Sequence, residues 1–507
     1  MRPRRATRLL RGESVPIRPY MPKTLLLLFL PAALLAQAPD LDWKKLQAET
    51  LEHFSAMVRI NSSNPPGNET VVAKYIQAVL QKEGIPSKLV GTDPNRLSLI
   101  ARLKGSGAKK PILIMGHTDV VGVQREKWSE DPFGAKLIDG YVWGRGTIDD
   151  KDVVAGALMT MLILKRTNAP LDRDVIFVAE SGEEGGGGAT PPGAAGAAPA
   201  GRGGGGRGPA TYGIQYIIQN NWPDIDAEFC LTEGGSFIST GGKVLYQRIE
   251  LMEKVGRGMK LVAHGTAGHG SMPRMDNAIM HLGGALWKIG QWQPPMNLND
   301  VTRTYFEMLG QIAPPEEAAR YKALFDSSKT QEAQDWFRKN NIEVNSMLRT
   351  SISPNIVTGG FKSNVIPSEA EATLDIRAIP GEDMAKFKTM MEKVIDDPQV
   401  TIESSGNFSA PSPAPSTTKT EMYAMLETVQ KRLFPGTATL PYMVTGGTDM
   451  RGLRMKGMEC YGIGAELPTE DMVTHAMHSD NERIKESGLY QFVRYEYEVV
   501  AGMAAKK

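Results

Sequence analysis

Residues 152–180 read DVVAGALMTMLILKRTNAPLDRDVIFVAE. DVVAGALMTMLILKR has the length and apolar content of a helix, and DVIFVAE is a short apolar run of strand length. The alternation continues outward. LSLIARL (97–103) and PILIMG (111–116) read as strands upstream, TYGIQYIIQNN (211–221) as a helix and AEFCLTE (227–233) as a strand downstream. Strand–helix alternation of this kind predicts an α/β domain on a mostly parallel sheet. Before it, WKKLQAETLEHFSAMVRI (43–60) has helical apolar spacing and SSNPPGN (62–68) has turn chemistry.

From about Lys243 the pattern changes. VLYQRIELMEKV and MKLVAHG alternate as strands, NAIMHLGGALWKIG reads as a helix, and helical stretches, two more strands, a helix and VTIES follow. That order predicts a separate α+β domain. PSPAPSTTKT (411–420) reads as the return linker, and MYAMLETVQKRLF through VRYEYEVVAGM resumes the α/β pattern. The expected organisation is a leader over 1–38, a catalytic domain over 39–241 and 411–507, and an inserted lid and dimerisation domain over 242–410. Residues 185–210 interrupt the first part with 12 Gly, 7 Ala and 4 Pro in 26 positions. So few apolar side chains predict a flexible surface insertion.

The 507 residues are 41% hydrophobic and 23% charged, ordinary globular values that exclude wholesale disorder. Net charge is +1, but residues after 38 hold 51 Lys/Arg against 56 Asp/Glu, a balance of −5. Nucleic-acid binding driven by bulk charge is excluded on that figure. MPKTLLLLFLPAALLAQA (21–38) has a short basic region, an apolar stretch and an A-x-A ending, the pattern of a secretory signal. The expectation is a periplasmic or secreted protein, with no membrane association unless this leader stays uncleaved. Cys230 and Cys460, the two cysteines, both lie in apolar strand-like runs and read as buried free thiols. A metal site must then be built from His, Asp and Glu.

Such residues follow one predicted strand after another. Gly116-His117-Thr118-Asp119 follows PILIM, Asp149-Asp150 follow the YVWGRG turn, Glu183-Glu184 follow DVIFVAE, Glu233 follows FCLT, and His478 lies in a late loop. Ligands of open α/β sheets bind beyond the carboxyl ends of the strands, so these positions can converge there. Imidazole with carboxylate suits zinc. Taken singly, each has a plainer reading: His117 as a core histidine, Asp149-Asp150 as a helix cap, Glu183-Glu184 as a solvated pair. Against the last, adjacent carboxylates repel and a cation removes the conflict. Residues two apart in a strand share a face, so Asp119 is expected to hold the far ring nitrogen of His117.

The motifs MGHTDVV, GRGTIDDKD, ESGEEGGGG, LTEGG, GTAGHGSMP, SNVIPSEAEATLDIR, GGTD and HSDNERI occur in that order. The chain from about Leu41 onward thereby resembles the zinc-dependent carboxypeptidase/aminoacylase metallopeptidase family, which includes acetylornithine deacetylase, succinyl-diaminopimelate desuccinylase, glutamate carboxypeptidase and carnosine dipeptidase. The resemblance implies two Zn2+ ions, with Co2+ or Mn2+ as substitutes. Asp149 would bridge them, His117 and Glu233 completing one ion and Glu184 and His478 the other. Glu183 is implied as the base and His269 as an oxyanion donor from the lid, often reaching the other subunit of a homodimer. Asn364 and Arg377 match carboxylate-binding lid residues, and Gly447 a substrate-contacting loop. His264 and His281 read as surface histidines. The implied activity is cleavage of an amide bond in a small peptide or N-acyl amino acid next to a free carboxylate, with dipeptidase activity as the alternative. A catalytically inactive binding relative would be expected to lose the base or ligands, which are all present here.

Overall fold

In the computed structural model of the chain, residues 41–184, 210–404 and 411–506 are described. The expected leader and nearly all of the Gly-rich insertion lie outside them. The large core is organised by a ten-stranded sheet. At its centre Val175–Glu180, Ile112–His117, Phe229–Thr232 and Glu459–Gly462 lie side by side and parallel. The first three are buried along their whole length, as parallel strands covered on both faces must be. Helix Gly213–Asn220 sets Ile214 and Ile217 on the face made by Leu113, Met115, Ile176, Val178, Cys230 and Cys460. Both cysteines are free and buried there.

Toward its edges the sheet turns antiparallel, so it is mixed. Ser98–Leu103 runs antiparallel to both its neighbours, Ser87–Val90 and Val175–Glu180. A short connection from Val90 to Ser98 can only join antiparallel strands, because a parallel pair needs a crossover of a dozen or more residues.

The strand Lys243–Glu253, expected to open the inserted domain, belongs instead to the large sheet. It pairs antiparallel with Ser236–Thr240 and parallel with Ala438–Val444. The two-residue turn Gly241-Gly242, both at positive φ (56° and 79°), closes the hairpin and is itself a hairpin signal in the sequence. Part of the helical stretch after Asn299 also packs on this sheet. Tyr305 of helix Asp300–Ile312 lies 5.5 Å from the Tyr442 ring, and Glu343 meets Arg248 at 2.8 Å.

A second sheet of five strands starts at Val255. Every pairing in it is antiparallel: Glu369–Ala378 is flanked by Ser351–Gly359 on one side and by Val255–Gly256 with Met259–His264 on the other, and Val400–Ser404 follows. Helices Ala278–Gln291 and Met384–Ile395 cover one face through Leu282, Ile289, Phe387 and Met391. Among the described residues no helix is long and apolar enough to cross a membrane.

Candidate metal centre

The three central strands Val175–Glu180, Ile112–His117 and Phe229–Thr232 end on the same side of the sheet. Their carboxyl ends deliver Glu183 and Glu184, His117, and Glu233. Asp149 comes from the turn just before helix Lys151–Thr167, and His478 from the loop between strands Glu466–Pro468 and Arg483–Lys485.

Asp149 stands between the two imidazoles. His117 Nε2 is 2.9 Å from its Oδ1, and His478 Nε2 is 3.0 Å from its Oδ2. His478 Nε2 is also 2.8 Å from Glu184 Oε1, and His117 Nε2 is 3.9 Å from Glu233 Oε2. Ligand atoms of His117, Asp149 and Glu184 lie within 4.8 Å of one another, as do those of His117, Glu183 and Glu233. The six residues expected to hold or serve two metals are therefore brought together.

The supporting contacts differ from expectation in two places. His117 Nδ1 is held at 3.0 Å by the main-chain oxygen of Asp119, while the Asp119 carboxylate is 3.6 Å away. The strand ends at His117, so the strand spacing that would have put the carboxylate on the ring no longer applies. That fully buried carboxylate instead receives the amides of Gly182, Glu183 and Glu184 at 2.9, 3.1 and 3.0 Å, and Asn64 Nδ2 at 2.7 Å. The second difference concerns capping. Asp150 precedes helix Lys151–Thr167 but its side chain makes no cap bond; its Oδ2 accepts the amide of His117 at 3.1 Å.

The imidazoles and carboxylates of the cluster set one another's charge. Burial disfavours a charged His117, but the nearby Asp119 carboxylate and the hydrogen bond to Asp149 prevail and raise its pKa well above the ordinary value. Hydrogen bonds to Asp149 and Glu184 push His478 up to about 10. Asp149 is depressed despite burial, because both histidines hold it ionised. Glu233 is pushed up to about 8, chiefly by burial and then by the charges of Asp149, Asp449 and Glu184, with His117 opposing. Carboxylates crowded this closely, with two nitrogen donors between them, fit divalent cations bound by N and O ligands. His117, Asp149, Glu184, Glu233 and His478 are the donors that fit.

Several expected site residues form no hydrogen bond or ion pair with this cluster among the described residues. His269 sits on the two-residue strand Gly268–His269, exposed, with Nδ1 2.8 Å from Ser271 Oγ. Among the described residues no hydrogen bond or ion pair joins it to the cluster. Asn364 is exposed, and its main-chain oxygen accepts the amide of Gly270 at 2.9 Å. Arg377 Nε donates to Asp375 at 2.8 Å. Gly447 borders open space, and its neighbour Thr448 donates both amide and hydroxyl to Glu253. His264 is exposed, and His281 bonds Asp397 at 2.7 Å.

Sequence reading missed Asn64, seen only as part of a turn, and the buried Glu180. Burial first, then Asp449, raises the Glu180 carboxyl well above the ordinary range, with His117 opposing. No residue pattern marks either; both act through contacts to distant segments.

An α/β sheet ending in a cage of histidines and carboxylates, beside an α+β insertion, defines a metal-dependent hydrolase. The chain belongs to peptidase family M20/M25/M40, whose family model matches residues 113–501. It is 27% identical over 418 residues to a probable carboxypeptidase S-like 2 of Dictyostelium discoideum, covering 80% of this chain and 74% of that protein. It is 25% identical over 468 residues to the human N-fatty-acyl-amino acid synthase/hydrolase PM20D1, covering 89% and 86%. In structure it is similar to the M20 family metallo-carboxypeptidase Sso-CP2 of Sulfolobus solfataricus, with a TM-score of 0.63 at 19% identity over 89% of this chain and 98% of that one.

Proposed function

We propose that this hydrolase uses two zinc ions to cleave an amide bond next to a free carboxylate, in a small peptide or an N-acyl amino acid. The observation that carries the reading is Asp149, whose two carboxylate oxygens each face a different imidazole, His117 at 2.9 Å and His478 at 3.0 Å. When bound, the ions bring the pKa of a water down to about 7 and polarise the carbonyl. Glu183, close to His117 and Glu233, takes the water's proton as it attacks and delivers it to the leaving amine. Asn364 and Arg377 bind the substrate carboxylate, a task suited to the guanidinium fork. His269 supports the developing oxyanion, and Gly447 leaves room for the substrate.

Dipeptidase activity is the nearest alternative. An N-acyl substrate with an apolar acyl group gains support from the loop of His478, where Val473 is 87% and Met477 47% exposed. The similarity to the N-fatty-acyl-amino acid hydrolase points the same way.

The chain acts as a homodimer in the periplasm or outside the cell, a reading supported by the leader-like start and by an open sheet edge. Mass-spectrometric product analysis on dipeptides, tripeptides and N-acyl amino acids, with Glu183→Gln as control, tests the activity. Release of a C-terminal or deacylated amino acid by the wild type alone supports it. No turnover and no bound metal would overturn it.

A further inference from the structure

Asp149 and His478 reach the centre on two loops from opposite ends of the chain. The first, 144–150, follows strand Tyr141–Trp143; the second, 469–482, precedes strand Arg483–Lys485. The two strands pair antiparallel, Arg483 opposite Trp143, so the loops start side by side. Glu482, four residues after His478, lies at that junction and is fully buried.

Its carboxylate turns away from its own loop and into the other. Arg145 Nη1 donates to Oε2 at 2.5 Å, Ile148 N to Oε1 at 2.9 Å, and Thr147 Oγ1 to Oε1 at 3.4 Å. The amide of Gly144 donates to its main-chain oxygen at 3.0 Å. Ile148 is the residue immediately before Asp149. Arg145 is itself buried, its guanidinium 5.3 Å from the Trp128 ring. One side chain of the His478 loop thus fastens the backbone of the Asp149 loop. His117 and Glu233 reach the centre on the central strands, and among the described residues neither forms a hydrogen bond or ion pair with Glu482.

We propose that Glu482 is a positioning residue that sets the separation of Asp149 from His478, and through it the binding of one of the two metal ions. The inference rests on the dinuclear reading above. Breaking the strut loosens the ion held by Glu184 and His478 more than the ion held by His117 and Glu233.

The test uses the full chain loaded with Co2+ or Zn2+ and dialysed against chelators of graded strength, with metal counted per chain and the Co2+ absorption recorded. Wild type should hold two ions, and Glu482→Gln should release one of them at about 10–100-fold weaker chelation, a loss typical of removing an outer support of a ligand. Arg145→Lys keeps the charge but loses the Nη1 donor and the guanidinium's packing on Trp128, and should show the same selective loss in milder form should Glu482→Gln not fold. Wild type holding fewer than two ions would overturn the dinuclear reading, and this inference with it. Two ions in wild type, with both variants releasing them together or not at all, would leave the reading standing and overturn the role of Glu482.

Discussion

The Asp119 carboxylate receives the backbone amide of Glu184 at 3.0 Å, and those of Gly182 and Glu183 beside it. A fully buried anion thereby fixes the loop that carries both the expected base and an expected ligand. An Asn at this position would set an NH2 group among N–H donors and leave at least one of them without an acceptor. Asp119→Asn should cost about 2 kcal/mol in stability, the scale of a hydrogen bond to a charged group. Metal affinity should fall by about 10–100-fold. Urea midpoints and chelator competition measure the two effects, and wild-type values for both would remove Asp119 from its place as the clamp.

Glu183 is expected to move the proton rather than to hold metal. Glu183→Gln should lower kcat by about 10²–10⁴-fold, the usual contribution of a positioned acid–base group, with metal content unchanged. Metal counted alongside turnover separates the roles. Activity and metal lost together would assign Glu183 to the ligand set, since its carboxylate lies within 4.8 Å of ligand atoms of His117 and Glu233.

Much of this centre was legible in the sequence because strand ends announce themselves. PILIMGH, DVIFVAE and FCLTE each run from apolar to polar at the point where the chain leaves the sheet, so His117, the pair Glu183-Glu184 just beyond DVIFVAE, and Glu233 could be placed at one edge. The supports were not legible. Asn64, Asp150 and Glu482 act across separations of 55, 33 and 334 residues, and a single sequence does not state which segments meet. The boundary at 242 was misplaced for a related reason. Lys243–Glu253 alternates like any strand, and only its pairing with Ser236–Thr240 and Ala438–Val444 shows which sheet owns it.

Lys254 marks the true crossing between the sheets, directly after Lys243–Glu253 and before Val255–Gly256. It is buried, with Nζ 2.8 Å from Ser346 O, 3.1 Å from Ser346 Oγ and 3.0 Å from Ser351 Oγ; the two hydroxyls can donate to it or accept from it. Burial, then the charges of Arg377 and Arg349, lowers its pKa to about 7, against the pull of Asp375. Between pH 7 and the ordinary lysine value of about 10.4 the unfolded chain carries the proton and the folded chain does not. Stability from this group is thus fully present above the unfolded value and is lost as pH falls through about 7. Lys254→Met should flatten the rise in unfolding free energy across that window. Denaturant titrations of both proteins from pH 6.5 to 10 test it, and equal slopes would show that Lys254 titrates normally in the fold.

Among the described residues the edge strand Ser351–Gly359 pairs with one neighbour, Glu369–Ala378. Its sequence SISPNIVTG carries no charge to deter pairing, and its other edge devices, Pro354 and the bulge between Pro354 and Ile356, leave residues 356–359 unguarded. Ile356 and Val357 stand exposed on it. Helix Ala278–Gln291 next to it exposes Ile279, Met280 and Trp287, the last by 70%, and Gly283, Gly284 and Gly290 leave open space around them. The expected occupant of such a surface is a second copy related by a two-fold axis, because antiparallel pairing of the edge with itself would bring the same apolar helix face together twice. Stable pairs of this kind bury about 1,600 Å² in total. Sedimentation of the wild type should give twice the chain mass. Val357→Lys combined with Trp287→Lys should give single chains, by setting like charges against each other across the axis. If His269 serves the partner's centre, separation should also lower kcat while each chain keeps its metals. A single-chain mass for the wild type at micromolar concentration would show that this edge faces solvent, and His269 would then have to act within its own chain.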